Sequence, residues 1–252
     1  MLRTRVIPVL LLRNKGLIKT IKFDQAKYIG DPINAVKLFN DKEVDELVFL
    51  DIDASKQNRK PDFDYIKSIA SECFMPLGYG GGIQSIEDIA TLFSIGVEKV
   101  ILNTSALTNI DLIKEAAEIY GNQSIVISID VTKNIFGKYQ IFSHAKIKHK
   151  YNDIREYIHH IQHAGAGEII VNSVDNDGMM KGYDIKLITM LNKEIKVPLV
   201  VAGGAGNLLH LKEAIDSGAS AVAAGSLFIY HGPHRAVLIN YPSYTELKKI
   251  LN

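Results

Sequence analysis

The chain has 252 residues, a formal net charge of +1 and 47% hydrophobic residues, with Cys73 as the single cysteine. So balanced a charge leaves no general electrostatic footprint for nucleic acid, and one cysteine excludes an internal disulfide and points to a reducing cytosol. The apolar run 6–12 is too short to span a membrane, and it lacks the small-residue cleavage site of a signal peptide. A cytoplasmic protein without membrane or nucleic-acid partners is expected, and the length suits one large α/β domain over residues 1–252.

In chain order, short apolar runs recur as "RVIPVLL" (5–11), "ELVFLDI" (46–52), "MPLGYG" (75–80), "KVILN" (99–103), "SIVISID" (124–130), "EIIVNS" (168–173), "PLVVAGG" (198–204) and "AVAAG" (221–225). Near-continuous hydrophobicity of this kind suits strands covered on both faces. Helical patterns lie between most of them. Residues 31–44 open with Asp31 as N-cap and Pro32 at the first helical position. Residues 85–96 begin with Ser85 in a Ser-x-x-Asp pattern and end at Gly96, while 109–121 and 207–218 run from Asn109 and Asn207 to glycines. Eight strands alternating with helices predict a closed (β/α)8 TIM barrel, with a doubly wound open sheet as the competing topology.

The chain also repeats itself. "LGYGGGI" (77–83) resembles "VVAGGAG" (200–206), "VILNTSAL" (100–107) resembles "VAAGSLF" (222–228), and Glu46 and Glu168 open matching strands. The offset is roughly 122 residues, which predicts two (β/α)4 half-barrels. In that register Leu11 at the end of strand one corresponds to Asp130 at the end of strand five.

Functional groups of such a barrel collect where strands exit. There the sequence places Gly81, Gly82, Asn103 and Thr104 in one half, and Gly203, Gly204, Gly225 and Ser226 in the other. Glycines let a backbone approach an anion, and amides at turns and helix starts bind phosphate oxygens. Paired clusters predict two phosphate seats and a phosphorylated small-molecule ligand; tight barrel turns are the plainer explanation of each cluster alone. Asp51, Asp130 and Asp177 stand near the same rim as candidate acid/base groups, although Asp51 and Asp177 also suit turns or caps. Lys19 lies in the long first loop, as a phosphate contact or a solvated lysine. No cofactor is called for. His159 and His163 have helical zinc-ligand spacing, but no third ligand accompanies them, so no metal site is expected and a solvated helix face is. The basic stretch 144–155 either covers the mouth or forms a solvated hairpin.

The stretches "DELVFLDIDAS", "GYGGGI", "NTSA", "SID", "GAGEI", "DNDGMMKGYD" and "AGGAG" resemble the cyclase subunit of imidazole glycerol phosphate synthase, in order and over nearly the whole chain. The resemblance implies a barrel that takes ammonia from a glutaminase partner and uses it on a bis-phosphorylated ribulosyl nucleotide in histidine biosynthesis, a lyase activity. It implies phosphate roles for Gly82, Asn103 and Thr104, and for Asp177, Gly178, Gly204, Gly225 and Ser226. It also implies that Arg5, Glu46, Lys99 and Glu168, all opening strands, form a charged ammonia gate at the far end; a structural ion cluster plugging the barrel is compatible with that.

The family uses two aspartates, ending strands one and five. Asp130 matches the second, but Leu11 stands at the first and exchanges no proton. "RVIPVLLL" and "FIYHGPHRAVLINYPS" (228–243) resemble a divergent branch associated with sugar amidation in surface polysaccharide assembly. That branch implies an impaired cyclase step and ammonia supply to a sugar amidotransferase. His231, His234 and Arg235 fall in this stretch, as a contact for a third protein or as plain surface. Two other functions remain open: a working cyclase using Asp130, and a non-catalytic phosphosugar- or nucleotide-binding barrel, against which the four-charge cluster argues.

Overall fold

The computed structural model describes residues 4–145, 147, 149–151 and 153–251. Eight strands carry the architecture: β1 (Arg5–Arg13), β2 (Leu47–Asp51), β3 (Leu77–Gly80), β4 (Lys99–Leu102), β5 (Ile125–Lys133), β6 (Glu168–Ser173), β7 (Leu199–Ala202) and β8 (Ala221–Ala224). Each pairs in parallel with the next, and β8 returns to β1 through the register Arg5↔Ala221 to Pro8↔Ala224. The sheet is therefore a closed eight-stranded barrel, as predicted, and the open-sheet alternative is excluded. Closure leaves no barrel edge exposed to pair with another chain.

Helices α1 (Pro32–Asp41), α2 (Phe63–Ala70), α3 (Ile86–Ser94), α4 (Asp111–Tyr120), α5 (Ile154–His163), α6 (Ile185–Leu191), α7 (Leu208–Asp216) and α8 (Tyr244–Leu251) surround it. Among the described residues no helix is long and apolar enough to cross a membrane. The expected caps form where a short polar side chain meets the first free amides: Asp31 accepts from the Asn34 amide, Asn207 from that of His210, and Ser85 with Asp88 makes a complete capping box. Asn109 does not cap α4 as expected. It terminates a short helix over Thr104–Thr108, and α4 starts from Ile110 without a side-chain cap.

Alternation along each strand divides the core in two. Val6, Leu10, Leu47 and Phe49 face the helices, whereas Ile7, Val48, Ile101, Val126, Ile170, Val200, Ala221 and Ala223 fill the barrel. Both faces are thus apolar, which is why the runs read as continuous in sequence.

Two rim elements were not expected. Residues Gly16–Ile21 and Asp24–Gly30 form an antiparallel hairpin continuing from β1, where the sequence reads as a loop. Residues Tyr139–Ile141 pair back on β5. The stretch with His231 and His234 forms a short exposed hairpin, Tyr230–His231 with Ala236–Val237. The half-barrel repeat recurs in the backbone: a short helix follows β4 at Thr104 and another follows β8 at Ser226.

Candidate active site

At the N-terminal end of the barrel, four charges close into a ring. The Arg5 guanidinium donates to Glu46 Oε2 at 2.6 Å and to Glu168 Oε2. Lys99 Nζ donates to Glu46 Oε2 at 2.8 Å and lies 3.4 Å from Glu168 Oε1. Both carboxylates are buried, so each is tolerable only because two cations face it. Alternating charge around the ring leaves no member unpaired. Arg5 opens β1, Lys99 opens β4, Glu168 opens β6 and Glu46 precedes β2, so all four stand at the N-terminal ends of their strands.

At the opposite end, the strand exits surround a cavity of about 180 Å³ lined on one side by Leu11 and Leu50 and on the other by Asn103, Asp130, Asn172 and Asp177. Leu11 and Leu50 are register partners in β1 and β2, which makes that wall apolar. Asp130 Oδ2 accepts from Asn103 Nδ2 at 2.8 Å. Burial pushes the Asp130 carboxyl up to about 7, with the negative Asp177 adding to the rise and the amides of Asn103 and Asn172 opposing it. A carboxyl with that value exchanges protons near neutrality, as a general acid or base must. Among the described residues the Asn172 Oδ1 atom has no hydrogen-bond partner although it is buried, and Asn172 lines this site.

Lys19 is neither in a loop nor solvated: it sits on the Gly16–Ile21 strand, 5% exposed, and Nζ donates to the Val9 carbonyl at 2.7 Å. Burial lowers its ammonium to about 8, and Asp177 partly restores it. Gly225 makes room for it, since a Cβ there would stand 2.0 Å from Lys19 Nζ. Gly225→Ala must therefore displace the amine; a loss of about 1–3 kcal/mol from overpacking is expected, measurable as a fall in thermal midpoint. Gly204 has φ of +115°, and a Cβ there would meet the Gly182 carbonyl at 2.1 Å, so only glycine fits both constraints.

The remaining sequence candidates sort by their partners. Asp51 lines the cavity, but its Oδ1 accepts from the Asp53 and Ala54 amides and both its oxygens are bound by Arg59, so shaping the turn after β2 occupies it. Asp177 takes a hydrogen bond from Thr20 Oγ1 at 3.1 Å, and burial raises its carboxyl. Gly81, Gly82, Thr104, Gly178, Gly203 and Ser226 all reach the same cavity, so the structure brings the two halves' clusters to one mouth. His159 and His163 stack on each other on the exposed side of α5, and among the described residues no group of three potential metal ligands occurs. In the basic stretch 144–155, Lys146, Lys148 and Asn152 lie outside the described residues, while His144 and Ala145 line the mouth. His144, Phe23, Lys56 and Asn172 also line it, and no local pattern in the sequence marks them.

A family model described as "Histidine biosynthesis protein" matches residues 5–234. The "Putative imidazole glycerol phosphate synthase subunit hisF2" of Pseudomonas aeruginosa is 48% identical over 248 residues, covering 98% of this chain and 99% of the relative. The chain belongs to the HisF family. A protein of the same description, numbered hisF3, in Vibrio vulnificus is 50% identical over 253 residues, covering 100% of this chain and 97% of the relative. The imidazole glycerol phosphate synthase subunit HisF of Streptomyces coelicolor is 38% identical over 227 residues, 90% of each chain. In this HisF-family barrel the charged ring and the mouth lie at opposite ends of one apolar interior, whose β8 wall is narrowed only by Ala221 and Ala223.

Proposed function

We propose that this HisF-family barrel receives ammonia from a glutaminase partner docked over the Arg5–Glu46–Lys99–Glu168 ring, holds a phosphorylated ligand in the opposite mouth, and has an impaired cyclase step. The ammonia then serves amidation of a sugar in surface polysaccharide assembly, completed by a sugar amidotransferase. One observation carries this reading: the mouth keeps Asp130, poised near neutrality, while Leu11 stands where the family's other acid belongs. A pair of acid/base groups reduced to one is expected to slow ring closure by about 10²–10⁴-fold.

The phosphate seats are assigned to Gly82, Asn103 and Thr104 on one side, and to Asp177, Gly178, Gly204, Gly225 and Ser226 on the other, with Lys19 as the cation beside the second, next to Gly225 and Asp177. Its retained positive charge at neutral pH, on an amine fixed by the Val9 carbonyl, suits a dianionic ligand. Ring closure resting on Asp130 alone is the second reading, favoured by the same raised carboxyl.

Calorimetric titration with the bis-phosphorylated ribulosyl nucleotide tests the seats. Binding in the micromolar range or tighter is expected for the wild type, and at least tenfold weaker for Gly225→Ala, whose methyl displaces Lys19. Absence of binding by the folded wild type would remove the phosphate assignment.

A further inference from the structure

The hairpin that follows β5 presents two large apolar side chains to water. β5 runs on from Asp130 to Lys133, roughly 10 Å of extended chain beyond the barrel rim, and Tyr139–Ile141 pairs back on it. The tip carries Ile135 at 93% exposure and Phe136 at 86%. A single exposed apolar residue is ordinary; two adjacent ones held outward mark a contact surface. The turn is rigid. Asn134 Oδ1 accepts from the Phe136 and Lys138 amides at 2.9 and 3.0 Å, the Asn134 amide donates to the Lys138 carbonyl at 2.9 Å, and Gly137 closes the turn with φ of +75°. Its base is fixed to the segment after β6: Lys133 Nζ and the Tyr139 hydroxyl donate to Asp184 at 2.6 and 2.8 Å, and the Lys133 amide donates to Asp175 Oδ2 at 2.9 Å. A loosely held loop folds apolar side chains back onto the protein, whereas this one holds them out.

Cations accompany the tip. Lys138 lies beside it and Lys181 in the segment that anchors it, while Lys22 and Lys56 stand on the segments after β1 and β2, at the same end of the barrel. These lysines are exposed, and among the described residues none of them makes an ion pair. The carboxylates nearby are mostly taken: Asp51 by Arg59, Asp53 by Arg13 and Asp184 by Lys133, with Asp24 left exposed. The apolar pair projects as a wedge instead of lining a groove, and the positive charge is spread over several loops instead of converging on one point. That combination fits a broad, deformable, negatively charged surface. It does not suit a second copy of this chain, whose mouth end carries the same positive charge. We propose that the mouth end of the barrel docks on an anionic lipid surface, with Ile135 and Phe136 inserted at the acyl boundary and Lys22, Lys56, Lys138 and Lys181 against the headgroups. The expected lack of a membrane partner rests on the lack of a spanning segment, and a turn that inserts needs none. The mouth then opens toward the headgroups, so whatever leaves the barrel interior is released at the lipid surface.

Co-sedimentation of the full chain with vesicles tests this. Vesicles of two parts phosphatidylcholine to one of phosphatidylglycerol are compared with phosphatidylcholine alone. The wild type is expected to bind the mixed vesicles about tenfold or more tightly than the neutral ones, with the difference lost at high salt. Ile135→Ser combined with Phe136→Ser should weaken binding about 100-fold at an unchanged thermal midpoint, because neither side chain packs on the protein. Lys138→Gln should weaken it about fivefold. Phe74→Ser, at a residue also 86% exposed but on the segment entering β3 at the other end of the barrel, should leave it unchanged. Folded wild type that sediments with neither vesicle would overturn the proposal, as would equal binding by the doubly substituted tip. An equal loss from Phe74→Ser would mean unspecific adsorption and overturn it as well. A tip-dependent dimer in sedimentation velocity, or salt-sensitive binding to poly-L-glutamate in place of vesicles, would give the surface to a second copy or to an acidic protein and likewise overturn it.

Discussion

Asp130→Asn is expected to stabilise the protein at pH 8 and to leave its stability nearly unchanged at pH 4. The folded carboxyl titrates at about 7 because it is buried, against an ordinary value of 3.8. Between those values the folded chain holds a proton that the unfolded chain has released, so raising the pH through that window removes stability. Above about pH 7 the native state carries the whole cost of a desolvated carboxylate, of order 2–4 kcal/mol after allowance for water in the open cavity. An asparagine keeps an oxygen for the Asn103 amide but carries no charge. For a chain of this size the gain corresponds to roughly 5–15 °C in thermal midpoint. Midpoints of wild type and variant at pH 4, 6 and 8 check this. A pH-independent offset would mean that Asp130 is ionised throughout, and that its acid/base role has no basis. Such a cost is what the acid/base role proposed for Asp130 entails.

Glu168→Ala is expected to lower the thermal midpoint by roughly 6–12 °C, from a loss of about 3 kcal/mol. The substitution leaves Arg5 and Lys99 facing Glu46 alone, with two cations crowded on one buried carboxylate. Replacing two bonded partners together separates the ring's two possible roles. Arg5→Leu with Glu168→Leu removes one charge of each sign and fills the volume with apolar groups, which is often neutral for stability. The double variant should therefore recover most of the lost midpoint. If the ring exists to admit ammonia, that stable variant should still fail to draw ammonia from a glutaminase, while working normally with free ammonium. Full glutamine-driven function in the double variant would reduce the ring to a plug.

Much of this arrangement is legible in the sequence for identifiable reasons. Strands covered on both faces read as apolar runs, and caps such as Asp31, Ser85 and Asn207 announce helix starts because few side chains satisfy free amides. The glycine clusters are visible because backbone approach admits little else. What escaped depends on contacts made across the chain. The Gly16–Gly30 hairpin carries an outer strand, Asp24–Gly30, that is mostly exposed and so shows no two-residue alternation. Its tip at Lys22–Phe23 takes positive φ without the glycine or asparagine that would mark it. Lys19 looked like a solvated lysine because nothing local reveals the Val9 carbonyl or the space left by Gly225. Asp51 was legible as an acid at a strand end, but not as the partner of Arg59. His144 lies in a stretch notable in sequence for its charge, whereas its place at the mouth is visible only once the Phe142 amide is bonded to the Asp130 carbonyl across the chain.

The most direct test of the central claim is the rate of ring closure on the bis-phosphorylated ribulosyl nucleotide with saturating free ammonium and no glutaminase, for wild type and Leu11→Asp. Free ammonium removes the partner and the ring from the measurement, leaving only the mouth. The wild-type rate is expected about 10²–10⁴-fold below that of Leu11→Asp, with substrate bound by both forms. Fast ring closure by the wild type, unimproved by the new aspartate and abolished by Asp130→Asn, would contradict it and establish a cyclase that works with the strand-five acid.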